Sequence, residues 1–122
     1  MGEYTREELE KTLQVVASVI SRCEKMQLKF LEGTSQYSLL KNRIKALYIS
    51  KSLLMKENVM AQYSKADLEE ALPPVSSIIN KCEKAQQKFK EGTTHHTRFK
   101  NMINAMYVSK ALIVEAIENS SF

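Results

Sequence analysis

The chain has 122 residues, 43% of them hydrophobic and 26% charged, with a formal net charge of +4. That length suits one domain with one core, and the balance of apolar and charged residues is unlike that of disordered or bilayer-spanning sequences. Three Gly, two Pro and no Trp favour long helices over many short strands, and the mild positive charge permits an acidic partner without requiring one.

The opening residues, Met1 to Glu8, are polar and acidic, unlike a signal peptide. Thr5 and Glu8 form a capping-box pattern that opens a first helix. Leu9, Leu13, Val16, Ile20 and Cys23 follow at three- and four-residue steps and form one apolar stripe. Glu7, Glu8 and Glu10 lie early in this helix and Lys25 and Lys29 late, a polarity that suits the helix dipole. Its most apolar run, Leu13 to Ile20, is broken by Gln14 and Ser18 and falls well short of the ~20 residues a bilayer span needs. The expected setting is a soluble cytoplasmic protein with no membrane, its two cysteines reduced. Gly33 is expected to stop the first helix, and Thr34 or Ser35 to cap a second. That second helix carries Leu40, Ile44, Leu47 and Leu54 on one face.

After a short link at residues 58–62 the pattern returns. Residues 4–57 align with residues 63–116 at a constant offset of 59, with no gap. Cys23-Glu24-Lys25-x-Gln27-x-Lys29-Phe30-x-Glu32-Gly33-Thr34 recurs from Cys82 to Thr93, and Lys41-Asn42-x-Ile44-x-Ala46-x-Tyr48-x-Ser50-Lys51-x-Leu53 recurs from Lys100 to Leu112. This self-similarity is the strongest signal in the chain. One hairpin would leave its apolar stripe half covered, whereas two can bury each other. The expected fold is all-α: tandem duplicated helical hairpins forming a four-helix bundle-like single domain over residues 1–122, with pseudo-two-fold symmetry. The copies differ where Gln14-Val15 becomes Pro73-Pro74. Proline lacks an amide donor and disfavours a helical residue before it, so a break is expected near Leu72, with a short helix over 65–71 and a longer one from about 74.

Few side chains point to chemistry. His95-His96 has no counterpart in the first copy, which carries Gln36-Tyr37, and no Asp, Glu, His or Cys lies at metal-ligand spacing from it. Cys23 and Cys82 lie on the apolar stripes, where free cysteine behaves as a small hydrophobe. No catalytic, metal or cofactor-binding set emerges, and no cofactor and no enzymatic activity are expected. Lys51 and Lys110 fall on the apolar arc of the second helices, Gln27 and Gln86 on that of the first, with Glu24 and Glu83 at its edge. One reading groups these six as an internal polar cluster lining a pocket; the favoured one is that they are snorkelling stems or structural ion pairs that fix helix register. Lys41 and Lys45 share a basic helix face with Tyr48 bordering it, a candidate binding surface.

The Cys-Glu-Lys-x-x-x-Lys-Phe-x-x-Gly-Thr run followed by Lys-Asn-x-Ile-x-Ala resembles short uncharacterised bacterial helical-hairpin proteins, over most of each repeat. The resemblance implies a bacterial helical protein and transfers no functional residue. The expected function is a small non-enzymatic protein-interaction or regulatory module with a protein partner, as monomer or homodimer. A nucleic-acid-binding regulator using helix 41–56 and a small-ligand pocket in the bundle core are the alternatives.

Overall fold

The computed structural model describes residues 4–120, and helices are the only regular structure among them. In chain order they are α1 (Arg6–Gln27), α2 (Ser35–Leu54), a 3-10 turn (Val59–Ala61), α3 (Lys65–Glu70), α4 (Leu72–Gln86) and α5 (Thr94–Asn119). Since α3 and α4 abut at Ala71, they act as two pieces of one helix, and the architecture is an all-α arrangement of four arms.

The caps explain where the arms begin. Thr5 Oγ1 accepts from the Glu8 amide at 3.0 Å, and the Glu8 carboxylate accepts from the Thr5 amide at 2.9 Å. Ser64 and Asp67 form the same reciprocal pair at 3.1 and 3.0 Å. Thr34 and Thr93 cap α2 and α5 by accepting from the amides of Tyr37 and His96. Gly33 does not stop α1, which ends six residues earlier at Gln27. The intervening chain closes four-residue turns, Lys29 N–H to Met26 C=O and Phe30 N–H to Gln27 C=O. Gly33, at φ +93°, supplies the positive φ of the turn from Leu31 to Thr34, and Gly92, at φ +91°, does so from Lys90 to Thr93.

The expected break is present and falls at Ala71, just before the two prolines, which occupy the first turn of α4. Proline suits that turn, because the amides it lacks would have no intrahelical acceptor there. With Gln14 and Val15 at the matching positions, α1 runs unbroken for 22 residues.

α1 packs along α2 and α4 along α5; the two halves meet through α1 on α5, α2 on α5 and α2 on α4. Val16, Leu47, Ile49, Leu68, Val75, Met106 and Ile113 are fully buried in the shared core. Each such side chain contributes roughly 1.5–3 kcal/mol relative to exposure. Arg43 and Lys45 of α2 reach Ser77 and Asp67 respectively, so the two elements run antiparallel. Arg22, late in α1, shares a surface cleft with Arg98, early in α5, and Leu9 shares one with Leu112. Both interhelical turns therefore lie at one end of the bundle, with the 55–64 link at the other. No helix among the described residues is long and apolar enough to cross a membrane.

Candidate functional site

Two clefts follow the seams where the halves meet. The first, of about 490 Å³, opens between α2 and the α3–α4 break. Leu39, Ile49, Pro73 and Pro74 give it apolar walls, Asn42 and Ser77 add polar points, and a pair between Lys45 Nζ and Asp67 Oδ1 crosses it at 2.8 Å. That pair raises the Lys45 pKa and lowers that of Asp67, in each case chiefly through the side-chain hydrogen bond between them. The second cleft, of about 600 Å³, opens between α1 and α5 and includes Glu8, Val15, Asn101, Asn104, Ala105 and Val108 in its lining. Positions 59 apart line both: Asn42 and Asn101, Ala46 and Ala105, Ile49 and Val108, Pro74 and Val15. Asn104 stands where the first cleft has Lys45 and Gln14 where it has Pro73, and no counterpart of Leu39 lines the second. The first is thus the more apolar-walled, and the one spanned by an ion pair.

The six residues of the pocket-lining reading do not gather inside the bundle. Glu24 is exposed and accepts from Tyr48 Oη at 2.9 Å, while Lys51 Nζ lies 5.8 Å from the centre of the Tyr48 ring. Glu83 accepts from Tyr107 Oη at 3.3 Å in the second half. The Tyr48 pKa is raised chiefly by its hydrogen bond to Glu24, and that of Tyr107 chiefly by the charge of Glu83. Lys51 and Lys110 are half-buried. Gln27 and Gln86 are half-buried, and Gln86 Nε2 donates to the His96 carbonyl at 3.2 Å, tying the second turn to α5. The two glutamates of the set thus form outward-facing pairs with Tyr48 and Tyr107. The helical wheel placed Glu24 and Glu83 at the edge of the arc, where a long side chain reaches solvent.

The basic face 41–48 is also partly neutralised. Lys45 is held by Asp67 and Tyr48 by Glu24, leaving Lys41 exposed beside them. His95 stacks on Phe89 at 4.8 Å, and Phe89 on Phe99 at 6.0 Å. Among the described residues no three His, Cys, Asp or Glu side chains gather as metal ligands would.

Arg43 was not singled out by its residue type, yet it is the cation that turns inward. Its Nη2 donates to Ser77 Oγ at 3.3 Å, and its Nε is buried with no partner among the described residues. Burial raises the pKa of both Cys23 and Cys82, and Arg43 is the main opposing influence on each. Both thiols are thereby kept neutral, as expected of core cysteines. The offset alignment carried a signal for Arg43, because position 102 in the second half is Met. No protein-family model, curated protein or solved structure matches the chain.

Proposed function

We propose that the chain is a non-enzymatic protein-interaction module, made of two copies of one hairpin packed about a pseudo-two-fold axis. The matched element starts, the matched turns at Gly33 and Gly92, and the two seam clefts lined at positions 59 apart all support the duplication. The observation that carries the binding role is the first cleft. Its walls are apolar, its Leu39 side chain is 48% exposed, and the prolines of α4 present no amide that would need an acceptor. An apolar side chain of a protein partner seated there would displace water from Leu39 and Ile49, with Lys45 and Asp67 fixing its polar surroundings.

The test is affinity capture from nuclease-treated source-organism lysate with the tagged chain and with Leu39→Glu. A specific protein retained by the first and lost with the second is expected, followed by titration of that protein in purified form. Equal retention by both would remove the cleft from the reading, and capture of nucleic acid alone would replace the reading with the nucleic-acid one.

A further inference from the structure

Leu28 is 87% exposed, Leu31 79% and Met26 48%, all in or beside the turn between α1 and α2. The second turn is an internal control. It has the same threonine cap and the same positive-φ glycine, but holds Ala85, Gln87 and Lys90 at the matching positions. The turn can therefore be built without leucine, and folding gives no reason for two apolar side chains to face water there.

Their surroundings name the partner. The two turns share one end of the bundle. The segments that form this end, residues 22–43 and 81–102, hold eleven of the 18 Lys and Arg against four of the 14 Asp and Glu, a formal charge of +7. The rest of the chain holds seven against ten, a formal charge of −3. Lys25, Lys29, Lys84, Lys88 and Lys90 are all exposed. The molecule is thus polarised along its length, with the exposed leucines on its positive end.

We propose that this end docks on an anionic lipid bilayer, Leu28 and Leu31 entering the interface while the lysines meet headgroup phosphates. A nucleic acid would satisfy the lysines but gives two aliphatic side chains little to gain. A stable protein interface usually buries about 1,200–2,000 Å² in total, more than three exposed side chains provide. Surface docking does not require a spanning helix. The inference concerns the end opposite the link, and stands or falls separately from the seam cleft.

The experiment is co-sedimentation of the full chain with vesicles of phosphatidylcholine alone or mixed with phosphatidylglycerol, at low salt. Leu28→Gln with Leu31→Lys installs the side chains of the second turn and adds one positive charge; circular dichroism checks that its helix content is unchanged. The wild type is expected to sediment with the anionic vesicles only, and the double variant to bind them about tenfold more weakly or less, despite its added charge. A wild type that stays in solution with anionic vesicles overturns the proposal. So does a variant that binds as tightly, because charge alone would then be at work. Preferential binding of a DNA or RNA oligonucleotide, unaffected by the variant, would also overturn it.

Discussion

The two halves reach one core by different local means. α1 is unbroken, while its counterpart is divided at Ala71 into α3 and α4. α2 ends at Leu54, where Lys56 at φ 59° lets Glu57 N–H reach the Ser52 carbonyl and Lys56 N–H the Leu53 carbonyl. α5 has no such stop and runs on to Asn119. Yet several interior positions correspond: Val16 and Val75, Ile20 and Ile79, Cys23 and Cys82, Leu47 and Met106, and Ser50 and Ser109 are all buried. Packing tolerates change in the helix path as long as those positions hold their volume. The outer faces are under no such constraint, and there the halves diverge in charge and in exposed apolar side chains.

The largest test of that equivalence is truncation of its central pair. Leu47 and Met106 are both fully buried, so Leu47→Ala and Met106→Ala should each cost about 2–5 kcal/mol in urea denaturation. Similar losses within one cooperative transition are expected if the halves share one core. A much smaller loss at one site, or two separate transitions, would show that they do not.

The next test exchanges the break. Gln14→Pro should cost about 3 kcal/mol, because α1 is helical on both sides of that residue and would lose an internal hydrogen bond. Pro73→Gln should change stability by less than about 1 kcal/mol, since the first turn of α4 does not depend on a missing amide. If Gln14→Pro were tolerated as easily, α1 would have to be able to take up the bend of its counterpart.

A smaller effect, of opposite sign, is expected at Lys56. The hydrogen bonds around it form a helix-ending motif in which glycine is usual, and a side chain at φ 59° is strained. Lys56→Gly should therefore raise stability by about 0.5–1 kcal/mol, read as an upward shift of the urea midpoint. An unchanged or lowered midpoint would mean that the lysine side chain compensates for its backbone.

Much of the fold was legible in the sequence because helices announce themselves locally. The threonine and serine caps, the apolar steps from Leu9 to Cys23 and the proline pair each act within a few residues. Gly33 misled because a glycine near a helix end reads as its stop, and only the short turns from Gln27 onward show that the chain continues past the helix first. The candidate site was far less legible. Whether Lys51 and Glu24 face inward depends on how far α1 and α2 rotate against each other, which no single-helix wheel contains. The Lys45–Asp67 and Arg43–Ser77 contacts join residues 22 and 34 positions apart, and nothing in the spacing of one helix announces them.

The smallest test concerns the charge difference between the two clefts, the pair between Lys45 and Asp67. Lys45→Asn installs the side chain of the second cleft and leaves the hydrogen bonds between Asp67 and Ser64 in place. The pair is solvent-accessible, so the loss should be slight and should shrink further as salt is added. Its pH dependence is the sharper signature. The lowered pKa of Asp67 makes its contribution present above the ordinary carboxylate range and lost as pH falls through the lowered value. The raised pKa of Lys45 makes its contribution present below the ordinary lysine range and lost as pH rises through the raised value. The difference in urea midpoint between wild type and Lys45→Asn should therefore be widest around neutral pH and close at both extremes. A difference that stayed constant from acid to alkali would mean that Lys45 acts through the packing of its stem against α3, and the two clefts would then differ in shape rather than in charge.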